Sequence, residues 1–412
     1  MEIRKITDRT QFDMFVEKHP YAHYMKTSMW GEYKKRVEHL DYEMLGFYEG
    51  NEWIGSAMVL LGSWLHHPYA YVPLGPCINY DNPQERNEAF TLLKKYADEK
   101  NVLFLRIDPN VERCPHDIKG NVLEGFNNEC VTEDLKKDGY VHKGYGYAYN
   151  GSWTNRYTLI VDLSEGKDAF LKHYLPQRRR SINRHKTWHV STHVGDASDI
   201  PDLMRLEKQL CANDGFAPHS QAFFQAIVDC FQQHCVIYKT EINLADMIEG
   251  MQHELEGKKY RNDPEAKQAA IKNVERAKAL REKHGNKCVI ACGLFIRFGN
   301  QSWDLYTYND HDEFNFISPV DNLHYFAMCD MYDHGVTSYD MCGFSGVTTD
   351  DDPEYGLYFY KSSFGPEYIE RIGEFDYVRN PDRMKRFRFE KLAINHMKRK
   401  YWAMRYKKKD KA

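Results

Sequence analysis

The feature that most constrains this 412-residue chain is an internal echo: two distant segments run in the same order of strand, long helix and strand. In the first, YAYVPLGPCINY enters a Pro/Gly turn, PQERNEAFTLLKKYADEKN spaces its apolar residues as an amphipathic helix, and VLFLRIDPNV is a buried strand. In the second, SWDLYTYND, SPVDNLHYFAMCDMYDHG and VTSYDMCGF repeat that order. Apolar hairpins precede both, EMLGFYEGNEWIGSAMVLLG and CVIACGLFIRFGNQSWDLY, each turning at polar Glu, Gly and Asn residues. A chain of this length divides into about two or three packed units. The echo therefore predicts two similar mixed α/β domains rather than one large sheet.

Between the copies, residues 240–286 lose β-branched residues and gain Lys, Glu, Ala and Gln. Leu244, Ile248, Met251 and Leu255 keep a helical spacing, which Ala270, Val274 and Ala277 resume after a break. At the break, Asn262 and Asp263 suit a helix cap, Pro264 its first turn and Gly285 its end. The pattern predicts an inserted antiparallel helical hairpin of coiled-coil type; an ordinary helix pair lying on its domain is the competing reading. After Pro381 the chain is dense in Lys and Arg with interleaved aromatics, predicting a helix with a basic face. The expected division is 1–155 for the first domain, 156–239 plus 287–380 for the second, 240–286 for the arm and 381–412 for the basic helix and tail.

The formal charge is only −4, so any polyanion must be recruited by local clusters rather than by a global field. Ten cysteines form no CxxC pair, and Cys288 and Cys292 fall on an apolar strand pattern, as expected of reduced, buried thiols. The N-terminal MEIRKITDRTQF has no apolar h-region, and no stretch approaches the roughly 20 apolar residues of a spanning helix. The expectation is a cytoplasmic protein with at most peripheral contact at the inner leaflet. No HExxH, GxxxxGK, GxSxG or Rossmann glycine pattern is present, which disfavours metal, nucleoside triphosphate and serine-hydrolase chemistry. No cofactor is expected.

Several positions are candidates for a site. In PQRRRSINRHK, Arg180 and Arg184 lie one helical turn apart and would hold a diphosphate through paired N–H groups, with a solvated helix face as the alternative. Three consecutive arginines point in three directions, so only one or two serve one ligand. In SMWGEYKK, Trp30 and Lys34 share one side of a helix, an aromatic plate beside an ammonium, although Trp30 also fits a core. Asp108 ends the strand LRIDPNV just before a proline, a frequent ligand position as well as a common turn cap. Lys361 is expected to emerge from an aromatic strand, GLYFY, into a turn of small residues. Gly343 in YDMCGFSG would let backbone amides approach a ligand, and Tyr306 and Tyr308 alternate onto one strand face.

The doubled pattern suggests two acetyltransferase-like (GNAT-like) domains in tandem, yet the Arg/Gln-x-x-Gly-x-Gly/Ala loop for acyl-CoA pyrophosphate is absent. SMWGEYK, PLGP, LRIDPNV, RYTLIVDL with RRRSINR, the inserted arm, YDMCGFSG and GLYFYKSSFG follow one another as in the Fem peptidyltransferases (FemABX), which include the MurM-type enzymes. Over nearly its whole length the chain resembles that family. The resemblance implies a tRNA-dependent aminoacyltransferase that moves Gly, Ala or Ser from aminoacyl-tRNA to the stem peptide of lipid II or UDP-MurNAc-pentapeptide, building the interpeptide bridge of peptidoglycan without a cofactor.

By the same resemblance, Lys361 stabilises the oxyanion with Tyr360 beside it, Lys34 and Arg180 hold precursor phosphates, and Asp108 orients the acceptor or removes a proton. An ordinary carboxylate, with a pKa near 3.9, is a poor base for an ammonium near 10.4, which favours the orienting role. Some members place tyrosine where this chain has Arg184. The arm and basic tail are the expected tRNA contacts. A non-catalytic adaptor for tRNA or anionic lipid, and an acyl-CoA-dependent N-acyltransferase, are the rival readings.

Overall fold

The computed structural model describes residues 1–147, 152–214, 217–261 and 263–394. The chain forms two units, the first of Met1–Arg113, Asn127–Gly146 and the chain from Arg371 onward, the second of Cys114–Phe126 and Tyr147–Glu370. In chain order the strands are β1 (Glu2–Ile6), β2 (Asp41–Glu49), β3 (Glu52–Trp64), β4 (His67–Val72), β5 (Phe104–Ile107), β6 (Val141–His142) and β7 (Tyr157–Asp162). They continue as β8 (Ser191–Gly195), β9 (Cys235–Asn243), β10 (Lys287–Phe298), β11 (Gln301–Asn309), β12 (Ser338–Gly343), β13 (Glu367–Glu370) and β14 (Phe375–Val378).

The first unit holds a seven-stranded sheet in the order β1-β2-β3-β4-β5-β14-β6, in which only β4 and β5 run parallel. Helix Pro83–Glu99 links that parallel pair and buries Phe90 and Leu93 against Phe47, Val59 and Leu105 of the sheet. The helix starts where Asn82 accepts from the Gln84 and Glu85 amides and Pro83 supplies a preset first turn. In the second unit the order is β13-β7-β12-β11-β10-β9-β8, with β11 and β12 the parallel pair. Helix Pro319–Asp333 joins them and packs Leu323, Ala327 and Met331 on Tyr238, Phe295 and Tyr339.

The two sheets are the same design, a mixed α/β GNAT-like layer with one parallel crossover, and β1–β5 match β8–β12 position for position. The expected hairpin alignment is one strand out of step. By sheet position β3 matches β10 and β4 matches β11, so β2 matches β9. The arm separates β9 from β10 in sequence and leaves the tight β10–β11 turn as the visible hairpin.

Where β2 turns into β3 through two residues, β9 and β10 are joined by helix Leu244–Leu255, a single turn at Lys258–Arg261 and helix Pro264–His284. Asp263 accepts from the Ala266 amide and Gly285 ends the second helix at φ 77°; Asn262 lies outside the described residues. Leu244, Ile248 and Met251 meet Val274, Ala277 and Leu280, and the same cluster takes in Trp188, Val190, Phe314 and Ile317. The pair is thus rooted on its own domain. A Cβ at Gly250 would stand 2.0 Å from the Thr187 carbonyl oxygen. Gly250→Ala should therefore force the first arm helix off its seat and cost about 1–3 kcal/mol, read as a fall in the denaturation midpoint; an unchanged midpoint would refute that packing.

Three boundaries differ from expectation, the first being that the second unit takes up the chain at Tyr147 rather than at 156. Residues 371–380, expected in the second domain, carry β14 into the first sheet, where Ile372 and Phe375 join the core and Arg106 grips Asp376 with N···O distances of 2.7 and 3.0 Å. Cys114–Phe126, expected in the first domain, group with the second, where Tyr358 and Thr348 donate to the carbonyls of Ile118 and Lys119. Residues 381–394 are helical, with Met384 and Phe387 packed on Leu103 and Phe104 of the first unit. The rest of the basic tail lies outside the described residues. No described helix is long and apolar enough to cross a membrane.

Candidate functional site

In the second sheet β11 and β12 pair only over Gln301–Trp303 and Ser338–Asp340, then both continue unpaired with each other. Their splay opens a cavity of about 650 Å³. Cys342, on its wall, sits at φ 60°, a left-handed conformation that a non-glycine residue adopts only under constraint. In the first sheet the matching strands pair along Tyr69–Val72 and Phe104–Ile107. Asp108, just past β5, ties their ends: it accepts from Tyr71 Oη at 2.8 Å and from the Leu74 amide at 2.6 Å.

Lys361 comes from helix Tyr355–Ser362, not from the expected strand, and with Tyr358 forms the buried side of that helix. The side chain bends under the end of β12, where Nζ donates to the Gly343 carbonyl at 2.9 Å and the Cys342 carbonyl at 3.3 Å. The residue is 9% exposed, and among the described residues no carboxylate is in ion-pair contact with it. An ammonium has three donors, so one remains for a ligand oxygen in the cavity.

Around it, the Tyr360 hydroxyl is buried without a partner, and burial pushes its pKa well above the ordinary phenol range. Arg178 lies 4.4 Å from the centre of that ring and donates to Asp321 at 2.8 Å and to Ser363 Oγ at 2.6 Å. His324 hydrogen-bonds Tyr339 Oη at 2.8 Å. Burial, with help from Lys361 and Arg178, lowers its pKa to about 3, so the imidazole is neutral near pH 7. Asp304 moves the other way: burial raises its carboxyl to about 6 against the hydrogen bond from Thr307.

Tyr306 and Tyr308 do share a strand face and both line this cavity, their rings 6.5 Å apart; Tyr308 donates to Glu207 at 3.1 Å. Gly343 also lines it, by a different logic from the one expected. A Cβ there would lie 2.1 Å from Asn155 Cγ, so the glycine makes room for a side chain, and its carbonyl rather than its amide serves the site by holding Lys361.

Arg180 and Arg184 do not converge on one cavity. Arg180 is exposed, while Arg184 lies 5.0 Å from the Trp188 ring centre and lines a separate cavity of about 210 Å³ beside Glu254 and Tyr260. Stacking on Trp188 turns Arg184 toward the arm. Of the three consecutive arginines only Arg178 enters the main cavity, because it lies one helical turn before buried Ile182. In the first unit, Lys34 and Trp30 lie on helix Ser28–Glu38 with Nζ 4.7 Å from the ring centre. Lys34 pairs with Glu38, and the Trp30 indole N–H is buried without a partner.

Among the cavity residues that the sequence reading missed are Arg178, Asp304 and His324. The burial that raises Asp304 penalises its ionised form in the fold; the penalty is full above pH 6 and vanishes as pH falls below the ordinary value of 3.8. Asp304→Asn should therefore stabilise the protein at pH 8 by on the order of 1–3 kcal/mol and lose that advantage toward pH 4. Urea midpoints of both proteins at the two pH values test this, and since both share His324, its opposite titration cancels in the difference.

Two mixed sheets of one design, one of them splayed around a buried ammonium, define a tandem GNAT-like protein of the acyltransferase type. The FemAB family profile matches residues 7–391. The lipid II:glycine glycyltransferases of Staphylococcus aureus strains bovine RF122 / ET3-1 and USA300 are each 24% identical over 415 residues, spanning 92% of this chain and 93% of the relative. The crystal structure of FemX superposes with a TM-score of 0.77 at 22% identity, covering 93% of this chain and 99% of that one. The chain belongs to the FemAB family.

Proposed function

We propose that this FemAB-family aminoacyltransferase moves Gly, Ala or Ser from aminoacyl-tRNA to the stem-peptide amino group of a peptidoglycan precursor, lipid II or UDP-MurNAc-pentapeptide. The observation that carries the reading is the Lys361 ammonium, buried at the strand splay and held by two carbonyls with a donor to spare. The acceptor nitrogen attacks the ester carbonyl, forming the C–N bond and placing the electron pair on oxygen. Collapse of that intermediate breaks the C–O bond to the ribose, whose oxygen leaves with a proton while the new amide nitrogen gives one up. A fixed, buried ammonium favours the oxyanion over the neutral carbonyl, and that difference is what accelerates the step.

In this reading Tyr360 supports the same intermediate, and Tyr306, Tyr308 and Gly343 shape the donor cavity. Lys34, with Trp30 beside it, engages phosphates of the precursor, as does Arg180, and Asp108 orients the strand ends of the first unit rather than taking a proton. Arg184 and the arm face the tRNA. The basic tail adds phosphate contacts or touches the anionic inner leaflet, where a lipid-linked acceptor would be met.

The test is transfer of labelled Gly, Ala and Ser from charged tRNA to lipid II and, separately, to UDP-MurNAc-pentapeptide. Label on either acceptor supports the reading and names donor and acceptor. Protein that binds tRNA but transfers nothing would replace it with the adaptor reading.

A further inference from the structure

Asp304 is the first residue of β11 past its pairing with β12, so its carboxylate stands where the strands part, on the wall of the cavity that also holds Lys361. The side chain is 10% exposed, accepts from Thr307 Oγ1 at 2.6 Å and lies 3.7 Å from Nε2 of His324. That imidazole is neutral near pH 7, and Lys361 directs its hydrogen bonds to the two β12 carbonyls instead. Arg178, the other cation of the cavity, is committed to Asp321. Among the described residues, Asp304 thus has no charged partner in contact, although a buried carboxylate needs one. Burial is the main cause of its high proton affinity, with the Asp340 carboxylate adding to it and Thr307 and Lys361 opposing it.

An aminoacyl ester carries, one carbon from its carbonyl, an α-ammonium. Resting on the proposed transfer reaction, we propose that Asp304 is the counter-ion for the α-ammonium of the aminoacyl donor and so a positioning and specificity residue. The cavity then grips the donor at two points, carbonyl oxygen at Lys361 and ammonium at Asp304. A free aminoacyl group satisfies both; an N-blocked or hydroxyacyl group leaves the carboxylate unpaired. The competing role, a general base for the acceptor amine, fits the location less well. The incoming nucleophile must reach the carbonyl from the open side, whereas Asp304 lies at the strand junction.

Two tRNA probes separate the roles, one ending in amide-linked glycine and one in amide-linked glycolate, identical except that a hydroxyl replaces the ammonium. Their affinities are measured for the wild-type protein and Asp304→Asn, alongside wild-type transfer from glycyl-, alanyl- and seryl-tRNA. The expected result is a wild-type preference of about 10- to 100-fold for the glycyl probe, lost in the variant because glycyl affinity falls while glycolyl affinity holds. A wild type without preference, or a variant that keeps it, overturns the assignment, and equal weakening toward both probes marks a merely structural residue. Absence of wild-type transfer from any aminoacyl-tRNA strikes the reaction itself and is recognisable as such, because the probes still report binding.

Discussion

Replacing Lys361 with methionine should lower the rate of aminoacyl transfer by about 10²- to 10³-fold at saturating donor and acceptor, the scale of losing one preorganised oxyanion donor. The side chain is nearly isosteric along its stem and removes only the charge and its hydrogen bonds. The carbonyls of Cys342 and Gly343 then lose their donor, at a cost of about 1–3 kcal/mol in stability. Thermal unfolding separates that cost from the catalytic effect. Arginine should not restore the rate, because its planar fork cannot occupy the space under two carbonyls that a compact ammonium fills. A methionine variant that is folded and transfers within a few-fold of wild type would remove Lys361 from the mechanism.

Asp108→Ala should have the largest effect on stability, about 3–5 kcal/mol. It strips the acceptor from Tyr71 and from the Leu74 amide, and it takes an anion from the neighbourhood of buried Lys26. Asp108→Asn keeps an acceptor oxygen and should lose less. If Asp108 orients, activity in both variants follows the folded fraction, measured by chemical denaturation beside single-turnover rates. A stable Asp108→Asn protein with transfer reduced about 10³-fold would instead mark proton transfer.

The repeated layers were legible because each rests on local signals: amphipathic spacing in residues 83–99 and 319–333, and apolar strands bounded by turns. The ends of the arm's second helix were legible, since Asp263, Pro264 and Gly285 carry their backbone preferences wherever they occur. Misreading GLYFYKSS as a strand followed from aromatic residues that favour strands but pack equally well on a short helix. The spacing of its two buried residues, Tyr358 and Lys361, is helical. Arg178 was passed over for Arg180, although counting back from Ile182, the apolar anchor of that helix, selects Arg178. Asp304 carries no local signal. Its importance comes from where β11 and β12 cease to pair, which depends on contacts between distant segments. Strand β14 was assigned to the wrong domain for the same reason: only partners some 270 residues away, Arg106 among them, tell it where to go.

That last strand has a consequence for how the molecule comes into being. β14 lies between β5 and β6 but follows the strands of the second unit in the chain, so the first sheet keeps a gap in it until those strands have been synthesised. The second sheet is also closed late, since β12 lies between β7 and β11 and follows both in the chain. Vectorial synthesis thus leaves the first sheet waiting longest, with β5 exposed along one edge, and during that interval it is the natural client of a chaperone.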